Sequence, residues 1–158
     1  MRAAARSFFS RFATAGMAFE RVVLDASVTL DWFLPTTPDA ADYAAEVLSA
    51  IHGRVVLPMV PDLWHYEVGS VLITAKRRKR ISARRLDAAA AVLADLVPFT
   101  INTRLTGSDV IQRATKFHLQ GYDSVYFDLA RNLHVRIASS DGGIRTACRA
   151  HGVALWKK

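Results

Sequence analysis

Four acids stand where a carboxylate can do chemistry. Asp25 directly follows the apolar run 22–24, and Asp141 follows 135–138 after Ser139 and Ser140. Both runs read as strands, and in parallel sheets ligands bind beyond the carboxyl ends of the strands. Either acid could equally be the N-cap of the next helix. Glu67 lies beside a helical stripe formed by Trp64, Val68, Val71, Leu72 and Ala75, with Leu63 and Val71 a turn away on either side. A carboxylate at that margin is buried or at a cleft edge, where it needs a cation or hydrogen-bond donors, unless it turns to solvent. Asp123 shares a helix face with Tyr126, Phe127 and Ala130, so it points inward, although an acid in a first helical turn is favourable anyway. Asp128 falls among Ser124, Arg131 and Asn132 and is expected at the surface. If the four inward acids converge, each pair at ~5 Å repels by roughly 3 kcal/mol at an effective dielectric of about 20. A hard divalent cation removes that cost, and all-oxygen ligands select Mg²⁺ or Mn²⁺ over zinc.

Other chemistries find less support. The histidines at 52, 65, 118, 134 and 151 show no metal-ligand spacing, and His65 and Glu67 do not share a helix face. Gly142 and Gly143 lack the pattern of a phosphate-binding loop, and Ser27 has no evident His partner. The single cysteine, Cys148, rules out an internal disulfide and a cysteine-built zinc site, and it reads as a helix-face residue. Trp32, Trp64 and Trp156 read as packing.

The net charge of +7 is concentrated. Lys76, Arg77, Arg78, Lys79, Arg80, Arg84 and Arg85 supply seven positive charges, and without them the chain has 14 basic and 14 acidic residues. Such a patch attracts polyanions. The competing reading is a solvated helix end whose cations complement the macrodipole.

These residues need a scaffold, and a βα rhythm supplies one. Short apolar runs at 22–24, 55–57 (ended by Pro58), 99–101, 135–138 and 153–155 read as strands. Helices are expected over 26–34, 39–52, from Asp62 into the basic cluster, from a Ser82 cap onward, and over 108–118, 122–133 and 144–150. Alternating strands and helices imply an α/β fold with a parallel sheet covered on both faces. The 158 residues suit one such domain, over 20–158, and the 51% hydrophobic content excludes a disordered chain. Charges interrupt every apolar run before membrane-spanning length, so a soluble, cytoplasmic protein is expected. Residues 1–19 carry three arginines and no acid, and read as a disordered leader or an over-extended start, with Met17 as the natural first residue. An organelle-targeting segment is the alternative.

The segments VVLDASVTLDWFLP (22–35), VPDLWHYEVGSVL (60–72), GYDSVYFDLA (121–130) and IASSDGGIRTACRAHGV (137–153) resemble, in order, the signatures of a PIN domain. The match is closest to VapC-type toxins of bacterial type II toxin–antitoxin systems and covers about residues 21–155. The resemblance implies a three-layer α/β/α sandwich and Mg²⁺-dependent ribonuclease activity, with Mn²⁺ as a substitute. It places the catalytic, metal-holding acids at Asp25, Glu67, Asp123 and Asp141. Ser139 matches a hydroxyl position that assists the metal site, and Ser27 lies close to the first acid. Lys76, Arg77, Arg78, Lys79 and Arg80 would then bind RNA. The resemblance further implies a homodimer and a small cognate antitoxin whose tail enters the groove. Three features depart from it: Asp31 adds a charge on the first helix, Gly142 and Gly143 loosen the segment after Asp141, and residues 1–19 have no counterpart.

Two rival enzyme classes fit less well. Haloacid-dehalogenase-type phosphatases need a second Asp two residues after the first, where this chain has Ser27. Receiver domains need a further acidic pair and a late lysine, and neither is evident. The remaining alternative is a PIN-like module that binds RNA or a partner without cutting.

Overall fold

The computed structural model describes residues 19–157, so the leader read over 1–19 lies, but for Phe19, outside the described residues. Four strands, β1 (Glu20–Leu24), β2 (Val56–Pro61), β3 (Phe99–Ile101) and β4 (Arg136–Ala138), form an all-parallel sheet in the order β3-β2-β1-β4. Among the described residues, seven helices connect and flank them: α1 (Ala26–Asp31), α2 (Pro38–His52), α3 (Leu63–Arg77), α4 (Ala83–Leu96), α5 (Gly107–Phe117), α6 (Gly121–Leu133) and α7 (Gly142–His151). The result is the expected three-layer α/β/α sandwich.

The sheet is legible in its burial. Val22, Val23 and Leu24 are buried, and every residue of β2 is buried. Continuous apolar runs of this kind belong to strands covered on both faces. β2 differs from the expected 55–57, because it runs straight through Pro58 and leaves Val55 exposed. β3 pairs with β2 only from Met59 onward, so at Pro58 the strand is paired on one side only. There a missing N–H need cost no ladder bond.

The expected fifth strand at 153–155 reduces to one parallel bridge, Ile137 to Leu155. The chain turns away to bury Trp156, whose indole Nε1 donates to Glu20 and whose carbonyl accepts from the Tyr43 hydroxyl. α1 stops at Asp31, short of the expected 34. The buried Asp31 carboxylate accepts from the Thr36 amide and hydroxyl, closing the turn into α2. Trp64, Val68, Leu72 and Ala75 form the inner face of α3, while Val71, expected with them, is exposed. The Trp64 indole donates to Thr29 Oγ1 at 3.2 Å and ties α3 to α1.

Strand order decides where a site can form. The chain builds outward from β1 to β2 and β3, then returns to β4 on the other side of β1. That reversal opens a crevice at the carboxyl ends of β1 and β4. Asp25 and the 139–141 turn sit there.

Candidate active site

Asp25 occupies the N-cap position of α1, yet its side chain makes no capping bond. It is buried, and both Ser27 Oγ and Ser139 Oγ donate to the same oxygen, Oδ2, the latter at 2.7 Å. Each hydroxyl in turn accepts a backbone amide from the turn after β4. Ser140 N–H donates to Ser27 Oγ and Asp141 N–H to Ser139 Oγ, both at 3.0 Å. Two amide–hydroxyl relays from the turn after β4 thus converge on one carboxylate oxygen, one through Ser27 on α1 and one through Ser139. The turn also holds the Ser140 hydroxyl, buried and without a hydrogen-bond partner among the described residues. An ordered water or ion would satisfy it.

Asp141 realises the capping alternative, since its Oδ1 accepts from Ile144 N at 2.8 Å and starts α7. Gly142 and Gly143 belong to that first helical turn. A Cβ on Gly143 would stand 3.1 Å from Asp141 Oδ1, so glycine there keeps the cap uncrowded. The two strand-end acids therefore differ: one carboxylate orders a helix start, the other is held by hydroxyls.

Glu67 is half-buried on α3, where Tyr126 OH, fully buried on α6, donates to its Oε2 at 2.8 Å. Asp123 is half-buried in the first turn of α6. Charge links Asp25 to Glu67 and Asp123, and Asp123 to Asp141 and Glu67. Burial pushes the Asp25 carboxyl up to about 7, against the hydrogen bonds from Ser27 and Ser139, and the charges of Glu67 and Asp123 push it further up. Burial, then the charges of Asp141 and Glu67, raises Asp123 to about 6. Burial also raises Glu67, with the Tyr126 hydrogen bond opposing. Groups whose environments shift them together in a cleft mark functional sites.

Among the described residues, no group of three or more His, Cys, Asp or Glu side chains stands close enough to hold a metal ion. Asp25, Glu67 and Asp141 instead spend oxygens on Ser27, Ser139, Tyr126 and the α7 amide. The fit of a cation therefore rests on the donor set, all oxygen, in which Asp25 repels Glu67 and Asp123, and Asp123 repels Asp141 and Glu67. That set suits a hard divalent ion.

Tyr126 is the residue that sequence reasoning missed. It was legible as core on the Asp123 face, but nothing local signalled a hydroxyl aimed at an acid 59 positions away. Asp128 needs correction. It is buried, not surface, and accepts from Arg113 Nε at 2.7 Å, Arg131 Nη2 at 2.8 Å and Asn132 Nδ2 at 3.0 Å. Arg113 arrives from α5, a partner the α6 pattern alone could not reveal.

The basic cluster is exposed throughout. Lys76 and Arg77 end α3, and Arg84 and Arg85 open α4. None of the seven cations pairs with a carboxylate among the described residues. Two clefts of similar size flank the fold. One of about 600 Å³ includes Arg131, His134, Arg136 and His151, at the amino end of β4 and away from the acids. The other, about 580 Å³, is lined by Leu63, Tyr66, Glu67, Ser70, Val71 and Tyr122 and includes one of the four acids.

No protein-family model matches the chain, and no curated protein does. Among solved structures, the crystal structure of PAE2754 from Pyrobaculum aerophilum is similar in fold. It matches with a TM-score of 0.60 at 20% identity, over 83% of this chain and 81% of that one. At that identity the likeness supports the α/β/α arrangement and speaks for nothing beyond it.

Proposed function

We propose that the chain is a metal-dependent endoribonuclease of the PIN type, acting as the toxin of a toxin–antitoxin pair. The observation that carries this reading is the coupled carboxylate set at the switch point of the sheet, with Asp25 raised to about 7 and Asp123 to about 6. Burying acids that repel one another costs stability, and a bound cation would offset that cost. Asp25, Glu67, Asp123 and Asp141 would hold Mg²⁺, with Mn²⁺ as a substitute. When bound, the ion supplies an activated water and charge neutralisation for phosphodiester hydrolysis, leaving a 5′-phosphate and a 3′-hydroxyl.

The chain's own residues do the rest. Ser27 and Ser139 fix the orientation of Asp25 through Oδ2. Tyr126 holds Glu67, and the α7 amide holds Asp141. Lys76, Arg77, Arg78, Lys79 and Arg80 attract the RNA backbone. Macrodipole complementation accounts for Lys76 and Arg77 at the end of α3, but Arg84 and Arg85 sit in the first turn of α4, where cations are disfavoured. That misplacement favours a polyanion over a merely solvated helix end. A homodimer and a small antitoxin seated in the groove complete the proposal.

Mapping RNA ends after induction tests it. Wild type should generate new 5′-phosphate ends in a Mg²⁺-dependent manner, and Asp25→Asn should generate none while remaining folded. Full cleavage by Asp25→Asn would sink the assignment. A second reading, a PIN-like module that binds without cutting, is favoured by the carboxylate oxygens already engaged by protein donors. It predicts neither cleavage nor stabilisation on titration with Mg²⁺ or Mn²⁺.

A further inference from the structure

Two of the acids are each preceded by an exposed tyrosine. Tyr66 stands immediately before Glu67 and Tyr122 immediately before Asp123, with 78% and 65% of their surfaces in solvent. Most other aromatic residues among the described ones behave differently, and Phe99, 36% exposed on β3, stands apart from this cleft. Trp64, Tyr126, Phe127, Phe117 and Trp156 are buried, and Trp32, Phe33 and Tyr43 pack against the core. A helix turns about 100° per residue, so the turn that aims an acid inward swings its predecessor outward. α3 and α6 each do this in the first turn or two, and the two rings line one cleft of about 580 Å³ together with Glu67, Leu63, Ser70 and Val71.

Single exposed hydrophobic residues are ordinary, but two large rings sharing one cleft with an active-site acid are not. Charge decides what they would hold. α3 runs from Tyr66 directly into Lys76 and Arg77, followed by Arg78, Lys79 and Arg80, all exposed and without acidic partners among the described residues. Ten residues of helix span about 15 Å, a separation a few nucleotides can cover. Aromatic faces beside a positive track are how proteins hold single-stranded nucleic acid, because every base has a π-face and every linkage a charge.

We propose that Tyr66 and Tyr122 form a base-stacking platform. It holds unpaired nucleobases of single-stranded RNA beside the scissile linkage, while the basic end of α3 holds phosphates further along the strand. This rests on the ribonuclease reading and assigns two exposed side chains of this chain to the bases of its substrate. The two tyrosines are positioning residues, touching substrate away from the reacting atoms.

The test uses the full chain carrying Asp25→Asn, so that binding is read without cleavage. Its probes are a short uridine RNA and the same backbone with abasic units at alternate positions. The intact RNA should bind on the order of 10-fold more tightly. Tyr66→Leu and Tyr122→Leu keep apolar area but remove the π-face, and should abolish that preference, whereas Tyr66→Phe and Tyr122→Phe should keep it. Equal binding of the two RNAs by the chain with both tyrosines would overturn the platform and leave the ribonuclease reading standing. No binding of either RNA, by the Asp25→Asn chain with Mg²⁺ present or by the otherwise unaltered chain in chelator, would overturn both. Should the leucine variants keep the preference but change the oligomeric state in light scattering, the face belongs to a second copy of the chain and the platform falls.

Discussion

Asp25 shows most plainly how this fold sets stability against chemistry. Its carboxyl ionises near 7 in the folded chain against 3.8 for the ordinary side chain, chiefly because it is buried. With its folded value raised, the unfolded chain loses this proton first as pH rises. The metal-free protein therefore loses stability between about pH 4 and 7, and the loss persists above that window. Asp25→Asn removes the penalty. In chelator, the variant should be more stable than wild type near pH 8 by on the order of a few kcal/mol and melt higher, and the gap should shrink toward pH 4. Parallel melting curves across that range would contradict the assignment. Tyr126 acts on the neighbouring acid with the opposite sign, because its hydroxyl lowers Glu67 against burial that raises it. Tyr126→Phe keeps the ring in the core and should push Glu67 further up. The acid limb of the cleavage profile should then move to higher pH, with kcat down roughly 10-fold, in line with losses on removing residues that orient metal ligands. An unshifted pH profile would reduce Tyr126 to packing.

Between elements, Asp128 is the clearest joint. Burial pushes its carboxyl up, but hydrogen bonds from Arg131 and Arg113 outweigh burial and hold it below the usual carboxylate value. Arg113 belongs to α5 and Arg131 to α6, so the acid pins the two helices across their interface. Because both arginines keep some solvent contact, Asp128→Ala should cost about 1–3 kcal/mol, below the range for a fully buried pair. The contribution is present above the unfolded carboxylate pKa and is lost as pH falls through the lowered folded value, so urea midpoints of wild type and variant should converge in acid. Convergence absent at low pH would remove the ion pair as the cause. This joint also shows what could be read before the structure. Asp25, Glu67, Asp123 and Asp141 were legible because strand ends and helix faces are local, periodic facts. Asp128 was misread because Arg113 approaches from 15 positions away, and the Tyr126 bond to Glu67 was invisible for the same reason. Pro58 misled the strand boundary because what makes it tolerable is the late start of β3 alongside. Local pattern reports which face points inward; the partner it meets there comes from topology.

For the whole molecule, the net charge of +7 describes the surface poorly. Outside the seven clustered cations the chain is balanced, and several of its acids are turned into the crevice or into ion pairs. RNA would therefore meet a positive track on α3 and α4 together with carboxylates at the end of the sheet, rather than a uniformly basic sphere. The carboxylates oppose a phosphate until a cation offsets them, so binding and metal loading should be coupled even where no bond is cut. The basic track should act through counterion release, where each phosphate neutralised on a single strand contributes about 0.7 to the slope of log affinity against log salt. Replacing Arg77, Arg78 and Arg80 with glutamine should then flatten that slope by up to about 2 and weaken binding most at low salt. Because all three side chains are exposed, melting temperature should hardly move. An unchanged slope with an unchanged melting temperature would leave the cluster as a solvated helix end or as a contact for a protein partner. A slope that flattens only when Mg²⁺ is present would instead show that the track engages phosphates after the crevice has been neutralised.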